Sequence, residues 1–205
     1  MRIENGIGCQ LRDYPEDKAS NNPPILSMQL IDEPLPGVKV LKPFIFEDAR
    51  GNFVKPFHED QLLQHEISMT VREEFYSTSA KNVLRGMHFQ IPPHAHQKLV
   101  YCISGEVIDV LLDLRRKSPT YGKAVSINIS YNNKHVLYIP KGIAHGFLSL
   151  RDNTCLIYKT DAVHSNLHDK GIAWNSFGFE WPSIEPIISV RDLSHTSFLD
   201  FSSPF

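Results

Sequence analysis

Ten histidines occur in this 205-residue chain, and because imidazole changes charge near neutral pH, each is a candidate for proton transfer or metal ligation. His88 stands in the run Leu84-Arg85-Gly86-Met87-His88-Phe89-Gln90, which has the texture of a strand. Arg85 and His88 are three apart, so a regular strand would point them to opposite faces. Gly86 between them allows a bulge that turns both to one cavity. The competing reading is a hydrogen-bonded histidine inside a barrel. His94 and His96, two apart, would share a strand face and, with His145, form a candidate metal-ligand set. Against it, Gln97, Lys98, Leu99, Val100 and Tyr101 follow where a completing carboxylate is needed. Lys98 would also repel a dication, and Pro92-Pro93 favours exposed loop histidines. Lys98, Arg85 and Arg50 are isolated cations among apolar neighbours, suited to a diphosphate or an enolate. Snorkelling surface cations are the alternative.

The elements that must hold these groups are short. Segments rich in Val, Ile, Phe, Tyr and Thr span about 38 to 46, 71 to 79, 97 to 103, 106 to 114, 123 to 130, 135 to 139 and 154 to 160, all of strand length. Turn signals separate them at Ala49-Arg50-Gly51-Asn52, Ser104-Gly105, Asn132-Asn133 and Lys141-Gly142, a spacing that predicts an all-β sandwich or barrel. Leu99, Tyr101 and Ile103 alternate with Val100, Cys102 and Ser104. Gly105 then leads into Val107, Ile108, Val110, Leu111 and Leu112, which reads as a hairpin buried on both faces. Helix is predicted only over Glu59 to His65 and in the tail near Ser194 to Phe201. Residues 1 to 36 carry Pro15, Pro23, Pro24, Pro34 and Pro36 without periodicity and read as an irregular extension that could wrap a partner subunit.

Composition narrows the class. Hydrophobic residues at 41% and charged residues at 21% describe a compact globular chain, excluding wholly disordered, collagen-like and coiled-coil architectures. Lys plus Arg at 21 against Asp plus Glu at 23 leaves a net charge of -2, so no basic field recruits nucleic acid. Cys9, Cys102 and Cys155, odd in number and far apart, fit buried thiols in a reducing compartment. With no apolar run of spanning length, the chain reads as cytoplasmic, with no membrane partner.

Several runs then align in order. Arg85-Gly86-Met87-His88-Phe89-Gln90, Gln97-Lys98-Leu99-Val100 and Gly105-Glu106-Val107-Ile108-Asp109-Val110 are followed by Asp113-Leu114-Arg115 and Ser118-Pro119-Thr120-Tyr121-Gly122. Ile139-Pro140-Lys141-Gly142-Ile143-Ala144-His145-Gly146-Phe147, Tyr158-Lys159-Thr160, Gly171-Ile172-Ala173-Trp174-Asn175, Trp181-Pro182 and Ile188-Ser189-Val190-Arg191-Asp192 complete the set. Together they resemble the dTDP-4-dehydrorhamnose 3,5-epimerase family over about residues 37 to 193. The resemblance implies a cupin-type jelly-roll barrel with a few short helices. It divides the chain into an extension (1-36), an epimerase domain (37-193) and a tail (194-205), working as a homodimer with no cofactor and no metal. It implies a nucleotide-sugar substrate, a nucleotide-linked 4-keto-6-deoxy sugar, inverted at C3, C5 or both on the way to cell-surface or secondary-metabolite deoxysugars. The C4 ketone acidifies both neighbouring carbons, so loss of a proton to an enolate and its return on the opposite face inverts the centre.

By the same resemblance His88 is the base and Asp192 its dyad partner. Tyr158 is the acid on the other face, and Lys98 is the cation near the developing O4 charge. Arg85 and, from a strand-swapped neighbour, Arg50 lie at the diphosphate, and His145 binds or positions substrate. The chain also departs from the family pattern. In Arg50-Gly51-Asn52-Phe53-Val54-Lys55, Lys55 replaces a usual Glu, and Glu73-Glu74-Phe75 replaces a Gln-x-Asn pair that helps hold thymidine. His164 takes a tyrosine position along the sugar pocket. Phe53, Lys55, Glu73, Phe75 and His164 are therefore candidate binding residues that leave the nucleotide, and the number of centres inverted, open. A ketoisomerase on the same fold, a non-catalytic sugar binder and a metal-dependent cupin are the competing functions.

Overall fold

The computed structural model describes residues 27–182 and 185–205. Cys9, Pro15, Pro23 and Pro24 of the expected extension lie outside the described residues. In chain order the described part forms β1 (Gln29–Asp32), β2 (Lys39–Lys42), β3 (Phe44–Asp48), β4 (Gly51–Lys55), α1 (Glu59–Gln64), β5 (Glu73–Ser79), β6 (Leu84–Gln90) and β7 (Lys98–Ser104). It continues through β8 (Glu106–Asp113), β9 (Ala124–Ser130), β10 (Val136–Ile139), β11 (Ile143–Ser149), β12 (Thr154–Thr160), β13 (Asp169–Gly171) and α2 (Val190–Leu193). Strands β1-β2-β10-β7-β12-β5 form one antiparallel sheet, β13-β6-β11-β8-β9 a second, and β3-β4 a separate ribbon. This is the all-β, jelly-roll barrel that the strand texture and the resemblance predict.

Period-two alternation explains the layers. Val100, Leu137 and Leu156 from the six-stranded sheet meet Val107, Leu111, Ile129 and Phe147 from the five-stranded one to fill the barrel. The opposite faces of β8 and β11 send Val110, Leu112, Ala144 and Leu148 outward, under Ile172, Trp181, Phe198, Phe201 and Phe205. At about 1.5–3 kcal/mol per buried large side chain, this aromatic cover fastens residues 172–182 and 185–205 to the sheet. Met28, Leu62, Ile67 and Met69 cap the outer face of the other sheet over Leu41, Leu99 and Val136. Every residue of β11 is buried.

Several local readings differ from the structure. Leu99–Leu112 is not a hairpin: β7 and β8 belong to different sheets, and Gly105, with φ +79, steps the chain between them. A Cβ there would lie 2.2 Å from Thr154 Oγ1, so the turn needs glycine. Burial on both faces comes from each strand lying inside its own sheet. Within the stretch read as extension, Gln29–Asp32 pairs with β2 as an exposed edge strand, too short and too polar for a pattern to betray it. Arg50 stays in a turn, but Gly51 and Asn52 begin β4. The tail helix is displaced to Val190–Leu193, capped by the Ser189 side chain accepting from the Asp192 amide. Residues 194–201 turn over the sheet, their Phe198 and Phe201 spacing imitating a helix face while Thr196 bridges Ile172.

Candidate active site

A cavity of about 260 Å³ opens into the barrel between β5, β6, β7, β11 and β12, lined by Glu73, Phe75, Arg85, His88, Lys98, His145, Tyr158 and His164 among others. Alternation delivers most of them. On β12, Leu156, Tyr158 and Thr160 face inward, and Tyr158 pairs in register with Phe75 of β5. On β11, His145 falls on the inward face that carries Ile143 and Phe147. On β6 the register with β11 slips between His145 and Phe147. Arg85 and His88 thereby both reach the cavity, as the bulge at Gly86 predicts, while Met87 and Phe89 point outward. Two glycines make this possible: a Cβ on Gly86 would lie 2.5 Å from Gly146 Cα, and one on Gly146 would lie 2.6 Å from Met87 Sδ.

His88 Nε2 lies 2.8 Å from Asp192 Oδ1 across 104 positions of sequence. Asp192 Oδ2 accepts from the Gly86 amide at 3.2 Å. Burial alone would raise the Asp192 carboxyl, but the nearby His195 imidazole and the hydrogen bonds from His88 and Gly86 hold it far below the usual carboxylate range. The ionised carboxylate therefore accepts a hydrogen bond from Nε2–H, and Nδ1 of His88 keeps the lone pair of a base. Desolvation lowers the His88 pKa, with the Asp192 contact opposing it, so neutral imidazole is favoured.

Opposite the dyad, Tyr158 is buried, stacked on Phe75 with centroids 4.8 Å apart. Its hydroxyl is 3.2 Å from Ser77 Oγ. Burial, against the Ser77 hydrogen bond, pushes its phenol well above the usual range, so it stays a proton-bearing acid. Lys98 Nζ donates to the His88 carbonyl at 3.1 Å, and burial lowers its pKa to about 8 despite Asp169 and Asp109. The ammonium remains the major form at neutral pH. His145 Nε2 is 2.7 Å from Asp109 Oδ2, both buried. Arg85 is held by Ser79 Oγ at 3.2 Å and the Thr78 carbonyl at 3.3 Å. The Glu73 carboxylate accepts from the His164 amide at 2.8 Å.

Arg50, Phe53 and Lys55 do not reach this cavity. They sit on the β3-β4 ribbon, where Arg50 is paired with Asp48, Phe53 is 58% exposed, and Lys55 lies over the Phe44 ring at 5.7 Å. The histidines of the His-x-His pair part company: His96 lines the cavity and His94 does not. His94 stacks on His168 with centroids 4.3 Å apart, and Gln90 Nε2 holds His96 Nδ1 at 2.8 Å. Desolvation, with Lys98 nearby, drops His96 to about 3. Among the described residues, the His, Cys, Asp or Glu donors gathered within 4.8 Å of one another are those of His88, Asp192 and His195. Two of these donors, His88 Nε2 and Asp192 Oδ1, are 2.8 Å apart and engage one another directly.

Asp109, Asp169, Arg191 and His195 escaped the sequence reading. Asp109 had a signal, as the one acid in the inward column Val107, Asp109, Leu111, where a charge requires a partner. Arg191 pairs with Asp169 at the cavity wall.

This arrangement, a base backed by a carboxylate, a facing acid and a buried cation, can move protons at a carbon beside a carbonyl. A family model described as dTDP-4-dehydrorhamnose 3,5-epimerase matches residues 32–200. A dTDP-4-dehydrorhamnose 3,5-epimerase of Shigella flexneri is 40% identical over 177 residues, covering 84% of this chain and 97% of its own. The crystal structure of dTDP-4-dehydrorhamnose 3,5-epimerase from Bacillus anthracis with TDP and PPi bound superposes with a TM-score of 0.82 at 34% identity, over 83% of this chain and 99% of that one. An epimerase from Legionella pneumophila, in complex with dTDP-4-keto-L-rhamnose, gives 0.81 at 30% identity, over 85% and 95%.

Proposed function

Since the chain belongs to the dTDP-4-dehydrorhamnose 3,5-epimerase family, we propose that its cavity binds a nucleotide-linked 4-keto-6-deoxy sugar and that the enzyme, an isomerase, inverts C3, C5 or both in deoxysugar biosynthesis. The observation that carries the reading is the His88–Asp192 contact, made across 104 residues at the floor of a cavity that also holds Lys98 and Tyr158. A binder has no use for a base backed by an ionised carboxylate.

His88 Nδ1 takes the proton from the carbon beside the C4 ketone. The C–H bonding pair becomes the enolate double bond and the carbonyl π pair moves to O4. Asp192 stabilises the imidazolium, and Lys98 stabilises O4. Tyr158 returns a proton to the opposite face of the carbon, and solvent exchange restores the phenol and the imidazole. His145, braced by Asp109, and Arg85 position the sugar and diphosphate. Glu73, Phe75 and His164 form the part of the pocket where this chain departs from the family pattern, and we assign nucleotide and sugar selectivity to them.

We further propose a homodimer in which the exposed β3-β4 ribbon of one protomer brings Arg50, Phe53 and Lys55 to its partner's cavity. That all three lie away from their own cavity supports this. We place the enzyme in the cytoplasm on its cysteine usage; Cys102 is a buried thiol pushed up by desolvation to about 11, inert to oxidation.

Proton NMR in heavy water with dTDP-, CDP- and GDP-linked 4-keto-6-deoxy sugars tests the reading. Loss of the H3 or H5 signal with one nucleotide and wild-type protein, abolished by His88→Ala, is the expected result. Undiminished exchange in His88→Ala would overturn the role of His88.

A further inference from the structure

Behind Asp192, on the side away from the cavity lining, lies an imidazole to which the mechanism assigns nothing. The His195 side chain is 11% exposed and its Nε2 is 3.4 Å from Asp192 Oδ1. That buried nitrogen makes no hydrogen bond of good geometry with any group, and the Asp192 carboxylate lies within reach of it. The ring stands edge-on to His88, centroids 5.5 Å apart and planes at 82°. Two imidazoles thus converge on one carboxylate oxygen.

The fold makes a slot for this ring. Gly171 of β13 is the register partner of His88, and a Cβ there would lie 2.3 Å from His195 Nε2, with two further ring atoms within 2.6 Å. The backbone beside the ring is anchored by the Ile172–Thr196 bridge. A glycine is required at that point by the ring and not by the turn, since a side chain on residue 171 would occupy the place of the imidazole.

We propose that His195 is a positioning residue: its Nε2–H donates to Asp192 and so governs how readily His88 accepts a proton. The inference rests on the reading of His88 as the base. Donation from His195 draws on the same Oδ1 charge that stabilises the His88 imidazolium, so it weakens that stabilisation and keeps more His88 in the neutral, proton-accepting form. The other charged groups acting on His88 are Lys98 and Arg191, both opposing its protonation; Asp169, ion-paired with Arg191, tempers the latter. Without His195, Asp192 would act on His88 undivided.

The pH dependence of kcat/KM, followed by the NMR assay for wild type, His195→Phe, His195→Gln and Gly171→Ala, tests this. In His195→Phe the acid limb, which reports the free-enzyme base, moves up by about 0.5–1 pH unit, so kcat/KM below the limb falls about 3–10-fold. KM stays within about twofold, because the ring does not line the cavity. His195→Gln retains an N–H donor and restores the wild-type limb. Gly171→Ala leaves His195 in the sequence but fills its slot, and reproduces the shift of His195→Phe. It carries the test should the Phe variant fail to fold. An unshifted limb in both His195→Phe and Gly171→Ala overturns the proposal, as does a loss that appears in KM alone, or a Gln variant indistinguishable from Phe. His88→Ala, run alongside, separates the cases. If it still exchanges deuterium, the assignment of the base has failed; if it is dead while His195→Phe behaves as wild type, only His195 has been misassigned.

Discussion

Lys98→Met removes a buried ammonium and keeps a side chain of nearly the same length. Lys98 is 8% exposed, and burial brings its pKa to about 8. From that value about nine-tenths of molecules carry the cation at pH 7, half at pH 8 and about one-tenth at pH 9. If the cation holds the enolate oxygen, wild-type kcat/KM has an alkaline limb near pH 8 that falls tenfold per pH unit above it. Tyr158 does not produce that limb, because its phenol titrates far higher. Lys98→Met should lower kcat by about 10²–10³ and abolish the limb. Stability should move the other way. The drop from 10.5 to about 8 is about 2.5 units, or roughly 3 kcal/mol against folding. Because the folded pKa lies below the unfolded one, this penalty is complete below pH 8 and fades as pH rises toward 10.5. The Met variant escapes it and loses about 1 kcal/mol with the hydrogen bond from Lys98 to the His88 carbonyl. The net gain of about 2 kcal/mol raises Tm by about 4–8 °C at pH 7. Steady-state kinetics from pH 6 to 9.5 and thermal unfolding at pH 7 and 10 measure both. A Met variant that keeps the alkaline limb, or that loses activity and stability together, would refute the reasoning.

Gly146→Ala would press a methyl to 2.6 Å from Met87 Sδ and 2.9 Å from the Arg85 carbonyl, which should cost about 1–3 kcal/mol; a Tm unchanged from wild type would show that the β6-β11 contact can yield. Tyr158→Phe should lose net inversion by about 10²–10⁴ while initial proton removal, read as deuterium uptake, falls much less; equal losses would count against a reprotonating acid. Mixing inactive Arg50→Ala with inactive His88→Ala should restore measurable turnover through hybrid dimers that pair one intact cavity with an intact ribbon, and no recovery in verified mixed dimers would place Arg50 outside the partner's site.

Much of the cavity was legible because β-strands alternate. Lys98 could be placed inside from the apolar run that follows it, Tyr158 was reached only through the resemblance, and a bulge at Gly86 reconciles Arg85 with His88. Strand β11 was not recognised, because His145-Gly146 interrupts an otherwise apolar run with a polar residue and a residue of no β preference; both are present for the cavity and for the approach of β6. The supposed β7-β8 hairpin shows the limit of local turn chemistry. Gly105 signals a turn in either case, and only partners far along the chain, such as Tyr158 beside Val100 and His145 beside Leu111, decide that the turn joins two sheets. Asp109, Arg191 and His195 eluded the reading since their roles exist only against residues brought from elsewhere by the fold.

The span between His88 and Asp192 also bears on when activity can first exist. Most of the barrel is built by strands that precede residue 161, yet the base lacks its carboxylate until α2 has docked behind β6. If His88 acts with Asp192 as proposed, a nascent chain with every strand from β1 to β12 outside the ribosome is still chemically silent, and residue 192 must emerge before turnover begins. In refolding, contacts of such long range form against a large loop-closure entropy, so recovery of deuterium exchange should trail the recovery of β-sheet circular dichroism. On that assignment catalysis is a readout of completed topology, and a half-folded barrel would leave a reactive keto sugar untouched.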